Sequence, residues 1–333
     1  MDYDGFKTEL MEQLAQKQEW GIRRDQLRFY PDGFTADNDP RLLEFIRNTN
    51  IRYHRKESDV LMGDYLVIEE EEAGKAGASS CRFEMKYLYE CFQKGAWKPV
   101  WENIKANIEL GRRLGVESIL HHMAEYEAVK ERLIVRPINY TDHRYELSDC
   151  VYETVGDIAL VLYLMVGDDP EAGLMTAKIP RRVFECWGLP QEQVLESAML
   201  NTNIMAPPRI YFKPTECYHA PYERGVFMSV GSGVDHIGRL AVPTITTTKQ
   251  TNGAIALFYP GVCRRLAQMA GGSFYVAFTS IHEARLHCEG SIAPRSILGL
   301  VRDVNKRFDP TEILTRKVYF YDAEKEAFGP VAL

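Results

Sequence analysis

The chain has 333 residues, of which 45% are hydrophobic and 26% charged, and its formal net charge is −7 at neutral pH. This length exceeds the usual size of one domain, so we expect two lobes. The ordinary hydrophobic content predicts a soluble globular protein with a sizeable core. The acidic balance argues against nucleic acid as a partner, because that function requires clustered Lys and Arg.

The sequence carries no recognisable targeting or membrane signal. Its first residues, MDYDGFKTELMEQL, are acidic and amphipathic, unlike the basic start and apolar run of a signal peptide. The longest apolar run, Ile158 to Gly167, has about half of the roughly 20 residues that a membrane helix needs. The seven cysteines are scattered without a CxxC pair, which predicts neither a disulfide framework nor a zinc knuckle. We therefore expect a cytoplasmic protein without cofactors or membrane contact.

The N-terminal part of the chain alternates one helix with short strands. Phe6, Leu10 and Leu14 share one helical face, and Asp2 or Asp4 can cap that helix. Strand-like segments follow at Leu27–Tyr30, Ile51–Arg55 and Tyr65–Glu69. The acidic and Gly-, Ala- and Ser-rich stretch 69–80 is typical of an exposed connection, which places a boundary at residue 80.

Residues 81–133 are expected to form a helical middle segment. One helix carries apolar residues on one face, namely Trp97, Trp101, Ile104 and Ile108. A second helix is predicted through Ile119, Met123, Tyr126 and Leu133.

Residues 134–333 are predicted to form a C-terminal α/β lobe. The continuous apolar run 158–166 is typical of a strand that is covered on both faces, and Pro180, Pro190 and Pro294 each suit the start of a helix. Further strands are predicted at Ile210–Phe212, Ile245–Thr248, the hairpin 274–288 and Val318–Tyr321. The predicted fold class is α/β to α+β, with mixed sheets flanked by helices and two lobes, 1–80 and 134–333, joined by the helical middle 81–133.

Three segments resemble a known family: ECWGLPQEQVLESAMLNT at 185–202, NGAIALFYPGVCRRLAQMAGGSFYVAFTSIHEA at 252–284 and KVYFYD at 317–322. They are similar to domain-of-unknown-function family 5688, a group of bacterial proteins mostly from gut Firmicutes. The chain departs from that family before the Ser-Ile-His-Glu motif, where Ala277-Phe278-Thr279 replaces the usual Leu-Pro-Ser. The resemblance implies a shared fold but no activity, so it supplies no catalytic residues.

The hairpin carries the most compact group of reactive side chains, Ser280, His282 and Glu283. These could act as nucleophile, base and orienting carboxylate in a hydrolase-like enzyme. Side chains alternate along a strand, however, so His282 and Glu283 should point in opposite directions. We therefore favour a structural interpretation, in which these residues stabilise the turn.

The loop TTTKQTNG at 246–253 joins a strand to a helix, where backbone amides can bind an anion. The candidate anion-binding residues are Thr248, Lys249, Asn252 and Gly253. Neither a P-loop nor a dinucleotide motif is present in the sequence.

No metal site is expected. His282 and Cys288 should lie on one face of their strand and Glu283 and His287 on the other, so these four donors cannot converge on one ion.

A basic face over 295–317 supports a third interpretation. The cations are Arg295, Arg302, Lys306, Arg307, Arg316 and Lys317, and they suggest an accessory factor for nucleic acids. Asp303, Asp309 and Glu312 oppose them, which favours an ordinary solvated face. The leading hypothesis is a soluble cytoplasmic binding or regulatory protein that has no catalysis and recognises another protein. A hydrolase using the hairpin, with an anion near Lys249, and a nucleic-acid factor remain the alternatives.

Overall fold

The computed structural model describes residues 1–17, 20, 22–37, 40–52, 58–70, 79–113, 122–144, 146–169, 173–213 and 225–332. The chain divides into two compact units, Met1–Met123 and Ala124–Leu333. Helices and antiparallel strands are both abundant in them, which confirms the α+β end of the predicted range of fold classes.

The described residues of the first unit form one three-stranded sheet and four α-helices. The strands are β1 (Leu27–Tyr30), β2 (Tyr65–Glu70) and β3 (Ser79–Glu84), in the order β1-β2-β3. The helices are α1 (Tyr3–Ala15), α2 (Pro40–Arg52), α3 (Met85–Gly95) and α4 (Trp97–Arg113). Of the residues predicted to form a separate helical middle, 81–133, those of α3 and α4 lie in this unit, whereas 124–133 lie in the second unit.

The core of the first unit follows the predicted helical periodicity. Phe6, Leu10 and Leu14 of α1 are fully buried and pack in one cluster with residues of β2, α3 and α4. Asp2 caps α1, because its side chain accepts a hydrogen bond from Gly5 N at 2.9 Å. The first predicted helix is thus confirmed, together with its cap.

Two expectations near the middle of the chain are wrong in the part that is described. Residues 51–52, predicted as the start of a strand, are the end of α2, while 53–57 lie outside the described residues. The helix predicted to run to Leu133 is broken into a 3₁₀ turn at His122–Ala124, a short helix at Tyr126–Val129 and a second 3₁₀ turn. Leu133 begins a strand, and residues 114–121 are outside the described part.

The strands described in the second unit form two antiparallel sheets. In one, β4 (Leu133–Asn139), β6 (Ile158–Asp169) and β5 (Tyr152–Val155) are neighbours, and β7 (Gly173–Lys178) also pairs with β6. The other has the order β13-β12-β10-β11-β9-β8. Its strands are β8 (Pro208–Tyr211), β9 (Thr244–Thr247), β10 (Phe274–Phe278), β11 (Ala284–Cys288), β12 (Tyr319–Asp322) and β13 (Ala327–Pro330).

The helices of the second unit lie between and after these strands. Within the described ranges, the α-helices are α5 (Tyr126–Val129), α6 (Tyr140–His143), α7 (Arg181–Cys186), α8 (Gln191–Met205), α9 (Val262–Ala270) and α10 (Pro294–Asn305). Helix α8 packs on β4, where Val135 N donates a hydrogen bond to Thr202 Oγ1 at 2.8 Å. Helix α10 packs on β10 through Ile297 and Val301. Each of the two sheets therefore has a helix packed on one of its strands.

A buried carboxylate joins the two sheets of the second unit. Asp157 lies in the turn between β5 and β6 and accepts hydrogen bonds from Thr315 Oγ1 at 2.9 Å and Tyr319 Oη at 2.8 Å. Burial and the negative charge of Asp157 raise the pKa of Tyr319 far above its ordinary value. Tyr319 therefore stays neutral and continues to donate to this carboxylate.

Candidate functional site

The predicted hairpin is present as β10 and β11, which pair in register from Phe274 with Cys288 to Phe278 with Ala284. Residues 279–283 form the turn between the two strands. Backbone hydrogen bonds fix the tip from both sides, since Ala254 N donates to Ile281 O at 3.2 Å and Ile281 N donates to Glu312 O at 2.8 Å. The turn is therefore held inside the second unit and does not project as a free tip.

Ser280 makes a local turn contact. It is only 1% exposed, and its Oγ accepts a hydrogen bond from His282 N at 3.0 Å. Its own backbone N–H points to Glu283 O at 3.4 Å. A hydroxyl bound to a backbone amide two residues later is a turn-stabilising arrangement.

The two ring nitrogens of His282 face groups other than Ser280. Its Nδ1 accepts a hydrogen bond from Asn252 N at 3.1 Å, so the proton of the neutral ring lies on Nε2. That Nε2 is 3.6 Å from Glu312 Oε1, beyond hydrogen-bond length. The ring thus supplies an acceptor to a backbone amide that is 30 residues away in sequence.

Glu283 is also bound within the hairpin. Thr279 Oγ1 lies 3.1 Å from Glu283 Oε1, and Arg285 Nη2 lies 3.6 Å from the same oxygen. The structure brings the three candidate residues into one turn, but each side chain has its own partner. None of the hydrogen bonds in the described residues forms the Ser–His–Glu relay that a catalytic triad requires.

The candidate anion loop is engaged by neighbouring groups. Lys249 Nζ forms an ion pair with Asp168 Oδ2 at 2.6 Å, and Thr248 N donates to Pro207 O at 3.0 Å. Asn252, with a φ of 54°, donates its N–H to His282 and accepts from Arg136 Nη2 at 3.3 Å. The following helix, Gly253–Phe258, is a 3₁₀ helix of six residues. Anion binding by this loop stays a prediction.

Gly253 lies at a close contact between the loop and the hairpin. An added Cβ would stand 2.0 Å from Thr246 Oγ1 and 2.5 Å from His282 O. These two atoms are themselves joined by a 2.8 Å hydrogen bond. The glycine is therefore required for this contact to form.

A groove on α8 escaped the sequence analysis. It has a volume of about 360 Å³ and is lined by Glu153, Leu195, Glu196, Met199, Leu200, Phe258 and Pro260. On α8, Glu192, Glu196, Leu200 and Ile204 are spaced four residues apart and are all exposed, so they form one stripe. This spacing is visible in the sequence, although no exposed stripe was predicted on this helix.

The basic residues of 295–317 are partly neutralised. Lys306 pairs with Asp303 at 2.8 Å, and Arg316 pairs with Asp142 at 2.6 Å. Arg302 has no ionic partner in the described part of the chain. It lines a cavity of about 470 Å³ together with Arg316 and Lys317.

The described cysteines, namely Cys81, Cys91, Cys150, Cys186, Cys263 and Cys288, are free thiols. Cys186 is exposed, whereas Cys263 is buried and its Sγ donates to Leu257 O. Burial raises the pKa of the Cys263 thiol to about 12, so its reactive thiolate form is scarce at neutral pH.

We expect iodoacetamide at pH 8 to alkylate Cys186 at least about 100-fold faster than Cys263, because reaction requires both an accessible sulfur and a thiolate. Mass spectrometry of tryptic peptides over time measures both rates. In denaturant, the two residues should react at similar rates. Labelling of Cys263 as fast as Cys186 in the folded protein would contradict its buried position.

The described ranges contain neither a cluster of metal ligands nor a membrane-spanning helix. No three His, Cys, Asp or Glu side chains there are grouped so that they could hold a metal ion. No helix there has both the length and the apolar character needed to cross a bilayer.

Comparison with known proteins places the chain in a family. No curated protein and no solved structure matches it. A model of a family of unknown function, DUF5688, matches residues 48–323, which extends further towards the N-terminus than the segments that carry the resemblance. The matched range includes α8 with its groove, the hairpin β10–β11 and α10. Because this range covers most of the sequence, the chain belongs to the family of unknown function DUF5688.

Proposed function

We propose that this chain is a binding protein without catalysis of its own, and that it recognises a basic, amphipathic segment of another protein through the groove on α8. The observation that carries the proposal is the combination, in one groove, of exposed apolar side chains and carboxylates without cationic partners. Such a surface needs a partner that supplies both apolar area and positive charge.

Exposed apolar side chains lie in the groove at Leu200 and one turn beyond it at Ile204, towards the C-terminal end of α8. Leu200 is 52% exposed and Ile204 is 79% exposed. Next to them, Leu195 and Met199 are buried side chains that line the groove. A large apolar side chain that enters the groove would remove this surface from water. This burial would stabilise the complex by about 25 cal/mol per Å² of apolar surface.

The charged part of the groove consists of Glu153 and Glu196, and Glu192 lies one turn before Glu196 on α8. Loss of solvent around the carboxyl group, together with the negative charges of Glu192 and Glu196, raises the pKa of Glu153. None of these three carboxylates has a cationic partner within the described residues. Glu192 also lies in the first turn of α8, where a negative charge stabilises the helix. That role does not apply to Glu153 or Glu196.

A basic partner would relieve the repulsion among these carboxylates and lower the pKa of Glu153. Binding should therefore release protons, and affinity should fall as the pH decreases and the carboxylates become protonated. Affinity should also fall with added salt, since the groove is open to solvent.

A synthetic amphipathic peptide of leucine and lysine tests the proposal, with a matched peptide of leucine and glutamate as the control. We expect saturable binding of the lysine peptide by fluorescence anisotropy and much weaker binding of the glutamate peptide. The double variant Glu153→Gln/Glu196→Gln should weaken binding by about 3- to 10-fold at low salt.

The matched control is Glu289→Gln/Glu324→Gln, which removes two charges elsewhere in the same unit. It should leave the affinity within about twofold. Leu200→Ser should weaken binding, whereas Leu240→Ser, at another exposed leucine, should not. Equal effects of the two glutamine pairs, or no binding of the lysine peptide, would refute the proposal.

We further propose that the protein works in a bacterial cytoplasm. The free thiols of the described cysteines support a reducing compartment, and the family resemblance supports a bacterial source. The hydrolase interpretation stays a prediction, but the separate hydrogen bonds of Ser280, His282 and Glu283 weigh against it. The nucleic-acid interpretation also stays a prediction, and the ion pairs of Lys306 and Arg316 weaken it.

A further inference from the structure

A second cavity of the C-terminal unit differs in chemistry from the groove on α8. It has a volume of about 470 Å³, within the range of about 300–1,000 Å³ that is usual for small-molecule sites. Apolar side chains form most of its wall, and the charged residues that line it are all basic. The lining consists of Leu298, Arg302, Arg316, Lys317, Val318, Pro330, Val331 and Ala332.

The walls of this cavity are fixed by packing and by a backbone hydrogen bond. Ile297 and Val301 of α10 are buried against Val318 in one apolar cluster, with Leu298 packed beside them. Val331 N donates to Val318 O at 2.8 Å, which holds the segment after β13 next to the segment before β12. The cavity is therefore bounded by elements that hold their relative positions.

The three cations differ in how far they are already neutralised. Arg302 has no ionic partner within the described ranges, and Arg316 uses Nη1 to bind Asp142 at 2.6 Å. Lys317 Nζ is 3.9 Å from Asp157 Oδ1, too far for a hydrogen bond, and that carboxylate is already bound by Thr315 and Tyr319. The cavity thus has spare positive charge beside an apolar wall.

We propose that this cavity binds an organic anion, with a carboxylate or phosphate head at Arg302, Arg316 and Lys317 and an apolar body against Leu298, Val318 and Val331. Guanidinium groups offer a planar pair of donors that matches both kinds of head. The apolar wall distinguishes such a ligand from a bare inorganic ion. Because this site is separate from the groove on α8, its test is independent of the proposed protein partner.

Isothermal titration calorimetry of the full chain with octanoate and with octyl phosphate tests the site and identifies the preferred head group. Titration with inorganic phosphate measures the affinity for the head group alone, and titration with octanol measures the affinity for the apolar body alone. We expect saturable binding of at least one of the two amphiphilic anions, tighter than that of either part. Absence of binding below about 10 mM, or equally tight binding of octanol, would overturn the proposal.

Arg302→Gln should weaken binding by about 10- to 100-fold, because it removes a charge-assisted hydrogen bond. Arg302→Lys should have a smaller effect, since it keeps the charge. The matched control is Arg295→Gln, two turns earlier on α10 and outside the cavity lining, which should keep the affinity within about twofold.

Equal losses of affinity in Arg295→Gln and Arg302→Gln would indicate diffuse attraction of the anion to a basic face and would overturn the proposal. Displacement of octyl phosphate by a short single-stranded oligonucleotide, with tighter binding of the oligonucleotide, would also overturn it. That result would favour the nucleic-acid interpretation.

Discussion

Gly253→Ala is expected to destabilise the C-terminal unit by about 3 kcal/mol, at the upper end of the usual cost of overpacking. The new methyl group would lie 2.0 Å from Thr246 Oγ1 and 2.5 Å from the backbone oxygen of His282. Neither atom can move away freely, because Thr246 belongs to β9 and His282 to the hairpin turn. Relief of the clash would also break the 2.8 Å hydrogen bond between them.

For a unit of about 200 residues, this loss corresponds to a decrease in Tm of about 6–12 °C, measurable by calorimetry. The matched control is Gly299→Ala on α10, where an added Cβ meets no atom within 4 Å. That change should be neutral or should stabilise by up to about 1 kcal/mol, since alanine is the better helix former. A parent-like Tm for Gly253→Ala would show that the loop and the hairpin are not packed as described.

His282→Ala is expected to destabilise the protein by about 1–3 kcal/mol, because Asn252 N loses its acceptor. His282→Asn should recover part of this loss, since a side-chain oxygen can take the place of Nδ1. Ser280→Ala should cost less, as the Oγ of Ser280 accepts only one local hydrogen bond, from His282 N. Chemical denaturation of the variants measures these differences.

The same variants separate a structural role from a catalytic one. If all three unfold like the parent, and His282→Ala and Ser280→Ala abolish a measurable esterase activity of that parent, the hairpin is an active site. The binding-protein proposal would then be wrong. Loss of stability in the order His282→Ala, then Ser280→Ala, supports the structural role.

Elements with a strong local pattern could be predicted from the sequence. The apolar run 158–166 lies in β6, whose residues 158–164 are all buried, and the hairpin 274–288 pairs as expected. Pro294 begins α10, because its fixed φ suits the first turn of a helix. In each case the local pattern was enough to predict the element.

Local sequence patterns gave wrong predictions of secondary structure where packing against distant residues determines it. The β-branched residue Ile51 favoured a strand, yet it lies in the last turn of α2, a helix whose Ile46 is buried in a small apolar cluster. The apolar residues up to Leu133 keep a helical spacing in the sequence, but the chain changes from a 3₁₀ turn to strand β4 at Leu133. Burial against distant residues overrides local propensity at both places.

The candidate site shows the same division between local and distant contacts. The hydrogen bond from His282 N to Ser280 Oγ spans two residues, so a turn could be inferred. The partners Asn252 of His282 and Asp168 of Lys249 are 30 and 81 residues away, and no sequence spacing indicates them. The stripe on α8 was predictable, because its four residues follow the helical repeat.

The bridge from Asp157 to Tyr319 has a consequence for the order of events during protein synthesis. The two residues are 162 positions apart, so a ribosome that adds 5–20 residues per second needs about 8–32 s to pass from one to the other. During that interval the Asp157 carboxylate lacks its Tyr319 donor, and strand β12 cannot yet complete its sheet. The C-terminal unit therefore reaches its native state only late in translation, and a nascent chain that stalls before Tyr319 exposes an unfinished sheet edge to aggregation or to chaperones.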